Sequence, residues 1–440
     1  MTDAAHPRLA RIAALPRPSF EDSAALTARR YAREARLKAM GIGAVAIALG
    51  LLLLLVGTIV VQGHSAFFQT HLRLDVTFDA ADIDPQGARD PVALARADYQ
   101  PVLNRALDQA LPGVTGRQDR RALRGLLSAG AGAQLRDMVV ADPSLIGQTR
   151  PVWLIADDEV DQFWKGHVDR DAPEADRRVD DRTIAWLDRL AAEGRIETQL
   201  NRLFFTSGDS REPEMAGIRG ALIGSAYMML VTLLVCVPVG IAAAVYLEEF
   251  ASKSRMTDVI EVNVNNLAAV PSIVFGLLGL AVFLNVFGLP RSSPLVGGLT
   301  LALLVLPTIV VATRAALRAV PPSIRQAALG IGASRLQTVA HHVLPMALPG
   351  ILTGTIIGMA HALGETAPLL MIGMKAFIVD VPSTPLDPAS ALPVQIYIWA
   401  DSPERAFAQL TAAAIIVLLA FLVVLNSIAI YMRRKLERRW

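Results

Sequence analysis

Six long apolar runs constrain this chain more than any other feature of it. A helix needs about 20 apolar residues to cross a bilayer. Six segments meet that length: Gly41–Val61, Gly220–Tyr246, Val262–Pro290, Ser292–Thr313, about Leu344–Met374, and Leu410–Met432. All are uncharged except the fifth, which carries the carboxylate Glu365 beside His361. One such run could be the buried helix of a soluble core, but six in one chain read as transmembrane helices. The charge is divided to match. Residues 62–216 hold 19 Lys/Arg and 26 Asp/Glu, a balance of −7; the remainder holds 23 and 14, a balance of +9; the two sum to the overall +2. An acidic, soluble segment is set into a basic, apolar frame. That excludes a single soluble globule and a disordered chain. The small basic excess is what membrane flanks need, not a nucleic-acid surface. The one cysteine, Cys236, lies in an apolar run, which rules out an intrachain disulfide and a Cys-based metal site.

Basic residues at the ends of the runs set an orientation. Arg29, Arg30, Arg33, Arg36 and Lys38 precede the first run. Arg433, Arg434, Lys435, Arg438 and Arg439 follow the last. Lys253 and Arg255 lie between the second and third, and Arg314, Arg318, Arg325 and Arg335 follow the fourth. On the opposite side, the connection between the third and fourth runs has only Arg291, and that between the fifth and sixth only Lys375 and Arg405. Six spans with both termini in the cytoplasm satisfy this pattern. Residues 1–40 are then a cytoplasmic basic tail, 41–61 an uncleaved anchor, and 62–216 an external insert. In that insert Gln69–Phe78 and Pro151–Ala156 have the pattern of strands, and Pro91–Leu111 and Arg182–Glu193 that of helices. The expected fold is a small α+β domain. His64, His71 and His167 are too dispersed to argue a metal site. The insert is either a docking module for an external partner or a spacer.

The connection between the fourth and fifth runs, Pro321–Pro345, reads PPSIRQAALGIGASRLQTVAHHVLP. Ser323-x-x-Gln326 and Ser334-x-x-Gln337 have the form of capping boxes, which predicts helices starting at Ile324 and after Ser334. Gly330 and Gly332 can supply a turn with φ > 0. Ala327, Ala328 and Gly332 are expected to form a small, exposed face over which another protein's groove can close. On spacing alone, an ordinary inter-span hairpin is an equal reading.

The segment resembles the EAA loop of ABC importer permeases, an E-A-A-x-x-x-G pattern followed by an apolar-Leu-Pro. Here it runs Gln326-Ala327-Ala328-Leu329-Gly330-Ile331-Gly332 and then Val343-Leu344-Pro345, with Gln326 at the glutamate position. Asn263–Gly276 (NVNNLAAVPSIVFG), Pro349–Gly354 (PGILTG), Gly364–Leu370 (GETAPLL) and Leu392–Tyr397 (LPVQIY) are similar to the PstA-type permease subunits of phosphate ABC importers. The resemblance covers 217–440. Together with the apolar runs it gives an all-α polytopic membrane protein of the ABC importer permease type with six transmembrane helices; the extracytoplasmic α+β insert after the first is read from its own pattern, and for it the resemblance implies little. The resemblance implies a coupling role for Gln326, Ala327, Ala328, Gly330 and Gly332 at a separate ATPase. It also implies as partners a second, PstC-like permease, two PstB-like ATPase subunits and an external, PstS-like phosphate-binding protein. In such an assembly ATP and Mg sit on the ATPase, and this chain, which has no G-x-x-x-x-G-K-[ST] loop, binds no cofactor and is not an enzyme.

A carboxylate inside a span is costly and points to function. Gly350, Gly354, Gly358, His361 and Glu365 recur on one helical face, and small residues at that spacing let helices approach closely. Glu365 should therefore face the bundle, paired or protonated, with His361 one turn away as a candidate partner. The candidate path or gating residues are Glu365, Thr366, His361, Asn265, Asn266 and Ser272. The neutral members can hold an anion weakly enough to release it, or merely glue helices together. Pro271 and Pro238 should kink their helices. A permease for another oxyanion, such as sulfate or molybdate, is the alternative within the class. Outside it stand an ion-coupled secondary transporter, which inverted repeats would support and this sequence lacks, and a membrane-anchored sensor, for which six spans are superfluous.

Overall fold

The computed structural model describes residues 20–252 and 254–436; Lys253, Arg438 and Arg439 lie outside the described residues. The chain divides into two units, 1–59 and 60–440. The first enters the continuous helix Phe20–Gly63, 44 residues long. At 1.5 Å per residue it extends for about 66 Å, roughly twice a bilayer core. The basic cluster Arg29–Lys38 thus shares one helix with the apolar run, and Lys38 and Glu34 pair across one turn at 2.7 Å.

In the second unit, the spans are Arg219–Val245, Pro294–Arg318, Leu344–Gly364 and Ala406–Leu436, with a bent pair between the first two of these. That pair corrects the expectation of a simple helix over Val262–Pro290. It consists of Arg255–Leu267 and then Ser272–Gly279, continuing as a π turn to Val286, with a bend of 102° between the halves. Pro271 is the cause. It sits in an extended conformation just before Ser272 and has no N–H to continue the first helix. Pro238, by contrast, lies inside a helix that continues unbroken.

Hydrogen bonds place the two ends of the bundle. At one end Leu295 N–H donates to Pro385 O (2.9 Å), Ala389 N–H to Ser292 O (2.8 Å), and Trp399 Nε1–H to Asp209 (2.9 Å). This end carries the 62–216 domain. At the other, Arg314 pairs with Glu248 and Glu261, and Arg325 with Glu249. The bent pair starts at the second end, near Glu261, and leads to Ser292 at the first. It therefore crosses once, as a broken span.

Small residues set the helix spacing. A Cβ on Gly240 would meet Ile309 at 2.7 Å, and one on Gly298 would meet Val231 at 2.6 Å. The stripe Gly350, Gly354 and Gly358 lies against Ala316, Ala312 and Val305, so the face predicted for close approach packs on the Pro294–Arg318 helix. Thr232 Oγ1 donates across the bundle to Gly298 O at 3.0 Å.

The inserted domain holds a three-stranded antiparallel sheet of β1 (Phe68–Thr77), β2 (Thr149–Ile155) and β3 (Ile196–Leu200), in the order β2-β1-β3. Leu72, Leu74 and Val76 of β1 point into a core with Leu103, Leu107 and Leu135, which is the alternation read from the sequence. β3 was not foreseen: IETQL is a short edge strand with little apolar content. The expected helix Pro91–Leu111 is two, Pro91–Arg96 and Gln100–Ala110. Ala97 is extended, and Pro101 at the start of the second helix cannot donate back to the first. The domain is seated on the bundle by aromatic contacts of Phe204 with Phe67 and Trp399. Gln409 adds a bond to Gln162 (2.5 Å) and accepts one from Ser65 Oγ (3.0 Å).

Candidate functional site

Two places concentrate the predicted residues. The first is the loop at the end of the bundle away from the insert. Its helix spans Pro322–Gly330, not from Ile324. Pro321 is the N-cap, so Ser323 lies inside the first turn and caps nothing; no Ser323–Gln326 box forms. A proline at N1 loses no bond, because that N–H has no partner in any helix. The helix ends in a Schellman turn: Ala333 N–H donates to Ala328 O (3.1 Å) and Gly332 N–H to Leu329 O (3.0 Å), with Gly332 at φ +89°. Gly330 is the last helical residue and needs no positive φ. The second capping box is present, with Gln337 N–H donating to Ser334 Oγ (3.2 Å) and Ser334 N–H to Gln337 Oε1 (2.9 Å).

The exposed face is Gln326, Ala327, Leu329, Gly330 and Ile331, the last 83% exposed. Ala328 corrects the expectation: it is 4% exposed and faces the protein. Beneath, Ile324 packs on Leu317, Val320 and Val343. Arg325 fastens the helix to the spans, donating from Nη2 to Glu249 Oε1 (2.6 Å) and Leu317 O (2.9 Å) and from Nη1 to Val320 O (2.8 Å). Arg314, 9% exposed, joins Glu248 and Glu261, and Arg318 joins Glu248 at 2.9 Å. The carboxylates of this network were missed by sequence reasoning. Their signal was the Glu248-Glu249 pair directly behind an uncharged run, opposite arginines read only as topology markers.

The second place is a cavity of about 210 Å³ at the break in the third span. Ser272, His361, Glu365 and Thr308 supply its polar lining, with Leu267, Phe275 and Gly358 among the apolar walls. The long helix ends at Gly364, so Glu365 is its C-cap in an extended conformation and not a mid-helix residue. Glu365 Oε1 lies 2.9 Å from His361 Nε2, the pairing expected from their spacing. Thr366 caps the short helix Ala367–Met371, its carbonyl accepting from Leu369 and Leu370 N–H, and does not line the cavity. Asn265 and Asn266 are exposed on the first half of the bent pair, also outside the lining. Thr308 was not foreseen, because nothing distinguishes one hydroxyl in an apolar run. The break is held by a close approach: a Cβ on Gly276 would meet Pro368 Cα at 2.7 Å. The NVNNLAAVPSIVFG and GETAPLL segments are therefore packed on each other. Among the described residues, no three His, Cys, Asp or Glu side chains are grouped so as to hold a metal ion.

Comparison with known proteins places the chain. Residues 236–440 match the family described as binding-protein-dependent transport system inner membrane component, and residues 24–174 match a domain of unknown function, DUF3333. The probable ABC transporter permease protein YqgI of Bacillus subtilis (strain 168) is 36% identical over 174 residues, 39% of this chain and 58% of that protein. The phosphate transport system permease protein PstA of Pasteurella multocida (strain Pm70) is 32% identical over 49% of this chain and 76% of that protein. PstA of Xylella fastidiosa (strain Temecula1 / ATCC 700964) is 34% identical over 51% and 77%. A solved inward-facing MetNI methionine ABC transporter aligns with 50% of this chain and 96% of that chain, at 18% identity and a TM-score of 0.41.

The chain belongs to the binding-protein-dependent inner-membrane components, the non-enzymatic, multi-pass permease subunits of ABC importers. Within that class it is of the PstA type.

Proposed function

We propose that this chain forms half of the transmembrane path of an ATP-driven importer of inorganic phosphate in the plasma membrane, with both termini and the Pro321–Pro345 loop in the cytoplasm and the 62–216 domain outside. The observation that carries the reading is the loop: a helix with an exposed face of Gln326, Ala327, Leu329 and Ile331, closed by Gly332 in the left-handed region and bolted by Arg325 to two spans. A rigid knob so attached passes a push on its exposed face directly to the bundle. Phosphate as the cargo rests on the PstA relatives. A PstC-like permease would complete the path, two PstB-like subunits would bind ATP and Mg and receive the loops, and a PstS-like protein would deliver phosphate.

His361, Glu365 and Ser272 are assigned to the path and its gate, with Thr366, Asn265 and Asn266 flanking it. A lone carboxylate would repel a phosphate anion; Glu365 held by the His361 ring presents less bare charge to it. Closure of the ATPase dimer would draw the loops together and change the packing at the Pro271 break. The test is reconstitution. The chain alone in vesicles should move no phosphate with or without ATP, whereas the complex of permeases and ATPase, supplied with the binding protein, should. Phosphate uptake by the isolated chain would eliminate this reading in favour of a secondary transporter. Uptake by the complex that sulfate or molybdate suppresses at equal concentration would move the cargo to another oxyanion.

A further inference from the structure

The helix Arg117–Arg124, RQDRRALR, lies in the inserted domain and is tied to neither the path nor the loop. Arg117, Arg120, Arg121 and Arg124 fall at i, i+3, i+4 and i+7 and so share one face, and all four are exposed. The opposite side is anchored by Leu123, fully buried in the domain core. Among the described residues, none of the four guanidinium groups faces a carboxylate; Arg120 Nε reaches only Val114 O, at 3.4 Å. The segment 170–195 of the same domain differs. Every arginine between 170 and 195 has a carboxylate partner, and the helix's own acid, Asp119, is taken by Arg182. A domain with an excess of carboxylates has left four guanidinium groups unpaired side by side.

The position of this helix narrows the partner. Ser128, four residues beyond Arg124, donates to Glu214 at 2.5 Å. Glu214 belongs to the turn Pro213–Met215, just ahead of Arg219 where the second span begins. Four residues cover at most about 14 Å. On the other flank, Arg182 holds Asp119, and Arg178 is within electrostatic reach of Glu404 in the turn leading into the last span. The carboxyl end of the arginine helix is therefore tethered within about 14 Å of Ser128, which is bonded to the turn ahead of the second span.

We propose that the Arg117–Arg124 face binds the headgroups of anionic phospholipids beside the bundle and seats the inserted domain on the membrane surface. Guanidinium groups match phosphate oxygens in a two-pronged geometry. A cationic face near an anionic lipid surface gains on the order of fivefold in binding per arginine.

The probe is the full chain with Cys236→Ala and Gln118→Cys, carrying an environment-sensitive fluorophore at position 118. It is reconstituted in vesicles of phosphatidylcholine alone or with a third of phosphatidylglycerol, and accessibility is read by acrylamide quenching. The expected result is several-fold protection in the phosphatidylglycerol vesicles, lost at high salt. The protection should also vanish when Arg117, Arg120, Arg121 and Arg124 are all changed to Gln, and persist when all four are changed to Lys. Circular dichroism matched between the variants shows that the domain is still folded. Equal quenching in both vesicle types, or protection that survives the glutamine changes, would overturn the proposal. So would protection that appears only when an acidic external protein is added, which would reassign the face to a protein partner.

Discussion

Gly332 shows how much one residue can decide. Its φ of +89° lets the chain close the Schellman turn, and a Cβ there would meet no neighbouring atom. Substitution is therefore costly through the backbone, about 1–2 kcal/mol, and not through a clash within this chain. Gly332→Asp should leave the spans folded and reduce both ATPase co-purification and uptake at matched expression. Gln326→Ala is the comparison. Gln326 is exposed and caps nothing, so stability should change by less than about 0.5 kcal/mol, and any loss of uptake reports contact with the ATPase. Normal uptake and a normal complex in Gly332→Asp would reduce the loop to an ordinary hairpin. Glu365 is decided by its partner in the same way. Glu365→Gln keeps the shape and a hydrogen bond to His361 but removes the charge. Uptake should change while assembly of the complex does not; unchanged uptake would leave Glu365 a packing role only.

Among the elements, the network at the loop end makes the strongest claim. Arg325 joins Glu249, which is largely buried, and also two carbonyls of the preceding helix end. Removing one partner of such a pair strands the other, at a cost of about 3 kcal/mol. Arg325→Ala should therefore uncouple ATP hydrolysis from uptake while the spans persist. Glu249→Gln should cost less, and a double-mutant cycle between the two should give a clear interaction energy. Additive effects would mean that the loop is held by its apolar underside alone. The junction of the inserted domain makes a second claim. Burial raises Glu214 to about 7, and burial, with Asp158 beside it, raises Asp157 to about 7. The folded state keeps these protons where an unfolded chain, with pKa values near 4, has lost them. Their contribution is complete below about pH 4 and is lost as pH rises through 7. The domain should thus lose stability from pH 5 to pH 8, by on the order of 2 kcal/mol for Glu214, with Asp157 acting in the same direction. Melting curves across that range should flatten in Glu214→Gln, and an unaltered slope would refute the assignment.

For the whole molecule, the central question is which end is which. The bonds at the Ser292 and Trp399 end and the ion pairs at the Glu248 end put the insert and the loop on opposite sides of the bundle. The crossing between them depends on the bent pair. In a Cys236→Ser background, a membrane-impermeant thiol reagent applied to intact cells should label Asp171→Cys and not Arg335→Cys. Labelling of both from one side would mean that the bent pair re-enters and that the path lacks a span.

Features that depend on local composition were legible in the residues alone. The six apolar runs, the β1 alternation, the second capping box and the left-handed glycine are set by residues within a few positions of one another, and the glycine stripe by a helical repeat. The segments NVNNLAAVPSIVFG and GETAPLL were legible as family signatures, but not as one packed unit. Features that depend on distant partners emerged only from the folded chain. The break at Pro271 is closely packed because Gly276 admits Pro368; Ala328 is buried on a loop helix whose Ile324 packs on Val343 and its neighbours; and Glu365 is a helix C-cap because the chain turns extended after Gly364. Arginines that sequence counting read only as markers of a membrane side became struts, because Glu248, Glu249 and Glu261 from other helices came within bonding distance. A run of apolar residues states that a helix is buried in something, but its turns and partners are fixed by close packing against chain that lies far away in sequence.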